Sequence, residues 1–234
     1  RKVFTLALLL SVIISNAQVK FTYAGQQITT SKNNIYVNPK KKNNAKVYIY
    51  NNVKEALRCA EVLQKTRSAN DTTWTNIYIE PSVYWIDNPN DTTTHMPLPG
   101  EHIPYGMKLK LNRTRLIGIS GNPKDVILAA QRGQTQGAIG NFTMLHLTGN
   151  DFHAENITFG NYCNVDLIYE PNAKLNRKKR SDAIVQAQLV ICNGTRYTAK
   201  NCEFISRLNL CPFAGAKEVT FEECYFECTD DALC

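Results

Sequence analysis

The sequence predicts an all-β protein, a right-handed parallel β-helix preceded by a short N-terminal helix. A residue pattern that starts at Thr148 recurs from Asn193, and part of it recurs again from Val219. Short segments rich in β-branched and aromatic residues are separated by Gly, Pro and Asn. No helical periodicity falls between these segments, although parallel strands in an ordinary βαβ sheet need crossover helices. Stacked coils of parallel strands satisfy all three observations.

Residues 1–17 are organised as a secretory signal peptide. A basic pair starts the segment, the apolar run Val3 to Ile14 follows, and Ser15 to Ala17 offers a small-residue cleavage site. The apolar run is shorter than the roughly 20 residues that span a bilayer. We therefore expect a secreted or periplasmic protein without a membrane segment after cleavage.

The 234-residue chain is 43% hydrophobic and has a formal charge of +7, which becomes 7 − 2 = +5 without the basic pair of the signal peptide. This length suits one sizeable core. We assign residues 18–50 to an N-terminal extension and residues 51–234 to the β-helix domain. A mildly basic surface suits an acidic polysaccharide as well as a nucleic acid, so charge alone selects no partner.

The remaining elements follow from periodicity. Asn51 to Arg67 places apolar residues at helical spacing, with Asn52 as the N-cap. Asp87 to Tyr105 is rich in proline and polar residues and is expected to be a loop. The segments predicted as early strands are Asn76 to Ile79, Lys108 to Leu111, Arg115 to Ile119 and Val126 to Leu128.

The internal repeat sets Thr148 to Phe159 against Asn193 to Phe204, at an offset of 45 (193 − 148). Glycine, an aromatic residue, alanine, asparagine and phenylalanine recur at matching positions in the two copies. Val219 to Phe226 supplies the shorter third copy, at an offset of 22 from the second (226 − 204). We interpret the offset of 22 as one coil and the offset of 45 as two coils. Such coils would stack about 4.8 Å apart and bury one continuous core.

Eight cysteines fit an oxidising compartment. Cys202 and Cys224 occupy the same repeat position, and we expect two stacked, buried thiols in preference to a disulfide, which the spacing also permits. Cys224 and Cys228 have a spacing that zinc sites use, but all four histidines precede them. We therefore expect no metal site.

Coil arithmetic selects one column of polar residues. Because 209 − 186 is 23 and 231 − 209 is 22, Gln186, Asn209 and Asp231 are expected to lie one above another on adjacent coils. Side chains alternate faces along a strand, so Asp230 has the opposite phase. This column is the candidate site for chemistry.

The segment from Asn76 onward resembles the pectinesterases. Phe152 to Asn161 is the closest match, and Ile77 to Tyr84 and Leu116 to Gly121 resemble two early strands of that family. Gln186 falls at the position of the family's oxyanion-hole glutamine. Cys224 to Asp231 resembles the segment that ends in the family's nucleophilic aspartate.

The resemblance implies hydrolysis of the methyl esters of polygalacturonate in two steps, without a cofactor. Asp231 would be the nucleophile and Gln186 an oxyanion donor. The implied partner is pectin or oligogalacturonate and not nucleic acid, and the implied state is a monomer.

The chain departs from the family where the second glutamine and the general acid are expected. Leu208 and Asn209 stand at those two positions. Asparagine has no titratable proton, and loss of general acid catalysis costs on the order of 10²- to 10⁴-fold. We therefore expect weakened or lost activity. The chain also starts without Met and ends at Cys234 in mid-repeat. We therefore expect a fragment that lacks the C-terminal coils and, with them, the family's substrate-binding arginine.

Two alternative functions stay open. Thr229 to Leu233 also resembles the paired-aspartate segment of polygalacturonases, but inversion needs a second carboxyl group about 6.5–9.5 Å away, and Asn209 is not one. A glycan-binding β-helix without catalysis is the second, with Asn209 as part of an asparagine ladder. The five basic residues of Lys174 to Arg180 form either a contact for polyuronate or a solvated loop.

Overall fold

Parallel strands wind into a β-helix in the computed structural model, which describes residues 18–68 and 70–229. The all-β class, the parallel β-helix and the short N-terminal helix are confirmed. The signal peptide expected at residues 1–17 and the candidate nucleophile Asp231 lie outside the described residues. Within the described ranges, no helix has the length and apolar character needed to cross a membrane.

The helix α1 spans Val53–Lys65, and short 3₁₀ turns span Ala45–Val47, Pro123–Asp125 and Ala173–Leu175. The strands are β1 (Lys20–Tyr23), β2 (Gln26–Thr29), β3 (Asn34–Val37), β4 (Ile49–Tyr50), β5 (Thr75–Ile79), β6 (Ser82–Trp85), β7 (Tyr105–Lys110), β8 (Thr114–Gly118), β9 (Val126–Ala130), β10 (Gly133–Gln134), β11 (Gly137–Ala138), β12 (Phe142–Thr148), β13 (Phe152–Glu155), β14 (Thr158–Asn161), β15 (Ala187–Asn193), β16 (Tyr197–Lys200), β17 (Glu203–Ile205), β18 (Pro212–Ala214), β19 (Val219–Glu222) and β20 (Tyr225–Glu227).

Each coil visits three parallel sheets in turn. The first sheet has the order β19-β16-β13-β8-β5-β3-β4, the second β20-β17-β14-β9-β6, and the third β18-β15-β12-β7. Consecutive coils therefore place equivalent strands side by side, which satisfies the backbone hydrogen bonds without crossover helices. β3 and β4, from the segment 18–50, extend the first sheet beyond β5.

The coil length differs from the prediction. Along the first sheet, Thr75, Thr114 and Phe152 are paired neighbours, at offsets of 39 (114 − 75) and 38 (152 − 114). Phe152 pairs directly with Tyr197, an offset of 45, whereas Tyr197 pairs with Val219, an offset of 22 (219 − 197). The offset of 45 is therefore a single coil, and the interpretation as two coils was wrong.

Three long loops account for the longer coils. We call residues 87–104, 131–141 and 162–186 the first, second and third excursions. Each leaves the end of a strand of the second sheet and returns to a strand of the third sheet. All three consequently emerge at the same corner of the β-helix, where loops on a rigid scaffold can assemble a site.

Stacked side chains fill the interior. Phe159, Phe204 and Phe226 form a ladder through three coils, with ring centroids 5.3 and 5.4 Å apart and nearly parallel planes. Cys202 and Cys224 are free, neighbouring thiols in the same interior. The stacked thiol pair that the repeat predicts is confirmed over the disulfide.

Helix α1 covers one end of this core. The Asn52 side chain accepts a hydrogen bond from the Glu55 N–H at 2.9 Å, which satisfies a free donor of the first turn. The fully buried residues Ala56, Leu57 and Ala60 lie on this helix, which contacts β3, β4, β5 and β7. The helix therefore shields the apolar end of the stack from water, as a terminal unit of a repeat protein must.

Candidate functional site

Gln186, the candidate oxyanion donor, directly precedes β15, which is the third strand of the third sheet along the chain. This residue is half-buried at the junction where the third excursion enters β15. Its carbonyl oxygen accepts a hydrogen bond from the Gln134 N–H of the second excursion at 2.9 Å. Its side-chain amide has no hydrogen-bond partner among the described residues. The described part of the chain thus leaves this amide unengaged.

The next coil places Leu208 and Asn209 beside this junction. The Leu208 carbonyl accepts a hydrogen bond from the Ala187 N–H at 3.3 Å. Farther along the sheet Val190 pairs with Pro212, an offset of 22 (212 − 190). The same offset puts Leu208 opposite Gln186 and Asn209 opposite Ala187. Gln186 and Asn209 therefore lie on adjacent coils, ahead of β15 and β18, and are one position apart in register.

Asp231, the third member of the candidate column, lies beyond the described residues. Asn209 itself is half-buried and has a left-handed backbone, with φ at 53°. Asparagine and aspartate are the side chains that tolerate this conformation most readily after glycine. The backbone at this position is therefore compatible with either residue.

Gln188 is a buried polar residue of the third sheet that the coil arithmetic does not select. It is 8% exposed, its Oε1 accepts a hydrogen bond from the Thr143 hydroxyl at 2.7 Å, and its Nε2 lies 3.6 Å from the Cys211 Sγ. Cys211 is disulfide-bonded. Both ends of the Gln188 amide are thus engaged inside the protein, and the residue orders the strands behind Gln186.

His146 is a buried titratable group on the third sheet, 4% exposed, with its ring centroid 4.7 Å from that of Tyr105. Burial, with the nearby Lys108 ammonium, lowers the pKa of His146 below its usual value. The imidazole is therefore neutral at pH 7. An isolated histidine carries no spacing signal, so the sequence indicates no role for His146.

A buried ion-pair network ties the first excursion to the second. Arg132 has no exposed surface, and its guanidinium bonds the Asp87 carboxylate and lies 3.0 Å from the Asp91 carboxylate. The Arg132 Nη1 also donates to the Gly137 carbonyl at 2.8 Å. A buried guanidinium with this many partners fixes the geometry of both loops.

The same network contains the one group of described residues whose ligand atoms lie close enough together to share a metal ion. It consists of Asp87, Asp91 and His95. The Arg132 guanidinium already contacts both carboxylates, and the His95 imidazole lies 3.6 and 3.5 Å from them. Because the positively charged guanidinium already pairs with both carboxylates, the arrangement is an ion-pair network and is poorly suited to a metal ion.

Acid should weaken this corner of the protein. Hydrogen bonds from the Thr93 N–H and hydroxyl, with the charge of Arg132, lower the pKa of Asp91 from 3.8 to about 2. A carboxyl whose folded-state pKa is depressed stabilises the fold above its unfolded pKa and loses that contribution as the pH falls through the folded one. We expect the melting temperature to fall between pH 4 and pH 2. The Asp91→Asn variant should show a flatter profile across that interval, and parallel profiles would contradict this assignment.

The third excursion is joined to the other two by arginines. The Arg177 Nε donates to the Gln131 side chain at 2.6 Å and its Nη2 to the Pro89 carbonyl at 2.6 Å. The Arg180 Nη2 donates to the Asp91 carbonyl at 3.2 Å. These two guanidinium groups are committed to the loops, so they shape the corner and leave ligand contact to other residues.

Lys178 and Lys179 point into solvent between these arginines. Their side chains are 89% and 40% exposed, and they pair at 2.6 Å with Asp166 and Asp182. They line an open cavity of about 440 Å³ between the first and third excursions, whose other lining residues are Pro89, Asp91, Thr92, Gln131, Arg177 and Arg180. We call this cavity with its two lysines the basic corner.

No family model matches the chain, and no curated protein matches it. Solved structures similar to it include a pectin methylesterase mutant in complex with hexasaccharide IV, with 15% sequence identity and a TM-score of 0.46, covering 81% of this chain and 48% of that one. Another is pectin methylesterase PemA from Erwinia chrysanthemi, with 13% identity and a TM-score of 0.43, covering 86% of this chain and 53% of that one.

The chain spans about half the length of the solved structures that it matches. The likeness is one of fold, and the fold itself is established by the strand pairing of the three parallel sheets.

Proposed function

We propose that the chain is a pectinesterase-like protein that binds pectin or oligogalacturonate at the basic corner, with ester hydrolysis weakened by Leu208 and Asn209. The observation that carries this proposal is the pair of exposed lysines, Lys178 and Lys179, held on the excursion that leads directly into β15 at Gln186. The proposed protein is secreted or periplasmic, acts as a monomer, and needs no metal or cofactor.

Charge supports binding of a polyuronate at this corner. The pairs of Lys178 with Asp166 and of Lys179 with Asp182 are exposed on at least one side. Exposed ion pairs contribute little free energy, so a carboxylate of the ligand can replace the protein's own with small cost. A chain of carboxylates would meet both ammonium groups at once, which favours a polymer over a single uronate.

The proposed chemistry follows the pectinesterase pattern. The Asp231 carboxylate attacks the methyl-ester carbonyl and forms an anhydride, the methoxy group takes a proton and leaves as methanol, and water then hydrolyses the anhydride to two carboxyl groups. The free amide of Gln186 would donate to the oxyanion. Asn209 has no acidic proton to give to methanol, and Leu208 has no donor. The first step would therefore proceed slowly.

A glycan-binding β-helix without catalysis is the second candidate. The residues at this junction support it, because Leu208, which lies opposite Gln186, has no hydrogen-bond donor in its side chain. This candidate shares the ligand and the basic corner with the first. Methanol release separates the two.

Binding at the basic corner should depend on its two lysines. We expect the Lys178→Ala/Lys179→Ala variant to bind oligogalacturonate about three- to tenfold more weakly at low ionic strength, because two charge contacts are lost. The measurement is isothermal titration calorimetry on the full chain. Lys41→Ala/Lys42→Ala is the matched control, since both lysines are exposed on the loop between β3 and β4 and the change in net charge is the same.

The control variant should keep at least half of the affinity, and added salt should weaken the unchanged chain more than the corner variant. Equal losses in the two double variants would show that only net charge matters. That outcome, or equally tight binding of a neutral oligosaccharide, would contradict the assignment of the ligand to the basic corner.

A further inference from the structure

A second groove lies on the outer face of the second sheet, between the strands of that sheet and the third excursion. Its volume is about 590 Å³. Ile127, Thr158, Glu203 and Tyr225 are paired neighbours on four successive strands and form its floor. At about 4.8 Å per strand, these three steps give a length of about 14 Å. The groove can therefore accept a short chain of rings rather than a single small ion.

The charge of this groove is opposite to that of the basic corner. Its lining includes one ammonium group, Lys124, and five carboxylates, which belong to Asp125, Asp166, Glu170, Glu203 and Glu227. The whole chain is basic, with a formal charge of +7. An acidic surface on a basic protein attracts cationic ligands and repels polyuronates.

Tyr162 supplies an unused hydrogen-bonding group in the groove. The residue is only 3% exposed, it lines the groove, and its hydroxyl has no hydrogen-bond partner among the described residues. Its ring occupies the space above Gly160, where an added Cβ would come within 2.5 Å of the ring. The ring is buried while the hydroxyl is accessible from the groove, so a ligand there can supply the hydrogen bond that the described residues do not.

Apolar side chains complete the groove. Tyr225 and Glu227 flank the core residue Phe226 on β20 and hence face outward. Tyr225 is 53% exposed, and Ile168 of the third excursion is 63% exposed. The faces of sugar rings stack on such side chains, while the hydroxyls of the sugar bond to neighbouring carboxylates.

We propose that this acidic groove, built around Tyr162, Glu203 and Glu227, binds a short oligosaccharide that carries protonated amino groups. The carboxylates match the ammonium groups and hydroxyls of such a ligand, Tyr225 and Ile168 match its ring faces, and the Tyr162 hydroxyl gains a partner. This site has the opposite charge to the basic corner, and the two adjoin at Asp166, which lines the groove and pairs with Lys178.

Calorimetry on the full chain at low ionic strength tests the proposal with three probes: a glucosamine tetramer, an N-acetylglucosamine tetramer and a tetragalacturonate. The glucosamine tetramer should bind at least tenfold more tightly than its acetylated counterpart, because only the former carries positive charge. Tyr162→Phe keeps the ring and removes one hydrogen bond, so it should weaken binding by about three- to tenfold. Glu227→Gln should weaken it by at least as much.

Lys179→Ala is the matched control, since its side chain pairs with Asp182 and lies outside the groove. It should leave glucosamine binding unchanged while it weakens tetragalacturonate binding. Thermal unfolding followed by circular dichroism verifies that each variant is folded. If Tyr162→Phe proves unfolded, the proposal is tested by Glu227→Gln alone. The Glu227 side chain is exposed, so this substitution does not disturb the core. Equal binding of the acetylated tetramer, undiminished binding by folded variants, or no binding of the glucosamine tetramer at millimolar concentration would overturn the proposal.

Discussion

The Asn209→Asp variant should release methanol from methylated pectin on the order of 10²-fold faster than the unchanged chain, because it regains a carboxyl group that can protonate the leaving group. The substitution is nearly isosteric, and aspartate tolerates the left-handed backbone at this position, where φ is 53°. Neither a cavity nor backbone strain should therefore accompany it. The measurement is the initial rate of methanol release by the full chain.

Two further variants show whether this gain is catalytic. Asp231→Asn in the Asn209→Asp background should return the rate to zero, because the proposed nucleophile is lost. Leu208→Gln in the same background should raise it further by adding an oxyanion donor. An Asn209→Asp variant that is folded, binds oligogalacturonate and releases no more methanol than the unchanged chain would contradict the proposed chemistry and favour the non-catalytic candidate.

Replacing Arg132 by methionine should lower the free energy of unfolding by about 3–5 kcal/mol, because the change leaves the buried Asp87 carboxylate without its cation. Arg132 has no exposed surface and Asp87 is 8% exposed, so solvent cannot replace the lost partner. The measurement is denaturant unfolding monitored by circular dichroism. The matched control is Arg196→Met, which removes an ion pair with Asp151 from a side chain that is 52% exposed.

The control should cost about 1 kcal/mol or less. Adding Asp87→Asn to Arg132→Met should recover part of the lost stability, since it removes the unpaired charge. Similar losses for Arg132→Met and Arg196→Met would show that the excursions do not depend on the buried network.

Local patterns in the sequence are sufficient to predict the helix and the early strands. Helical spacing and the cap at Asn52 predict a helix within Asn51 to Arg67, and α1 spans Val53–Lys65. The early strands are confirmed with small shifts of their boundaries, as in β7 and β9. β3 and β4 are missed, because we assign the segment 18–50 as a whole to an extension, although both strands consist largely of buried β-branched and aromatic residues.

The length of a coil could not be obtained from the repeat alone. The pattern at Thr148 to Phe159 and at Asn193 to Phe204 fixes which strands are equivalent, but an excursion inserted between two strands changes the offset without changing the pairing. The third excursion, residues 162–186, lengthens one coil in this way. An offset of 45 is therefore equally compatible with two short coils and with one extended coil.

The candidate column stays a prediction. Coil arithmetic places Gln186, Asn209 and Asp231 one above another on adjacent coils. In the structure Gln186 and Asn209 are one position apart in register, and Asp231 lies outside the described residues. The network of Arg132 with Asp87 joins two irregular loops that are distant in the sequence. Such loops have no periodicity, so nothing in the sequence indicates that these residues meet.

Hydrogen exchange of the full chain, measured with and without hexagalacturonate, shows which segments a bound polyuronate protects. We expect slower exchange in the first and third excursions, residues 87–104 and 162–186, which surround Lys178 and Lys179. The outer face of the second sheet around Tyr225 should exchange at an unchanged rate. Protection confined to that face, or no protection anywhere at a saturating concentration of hexagalacturonate, would contradict the claim that the basic corner binds pectin.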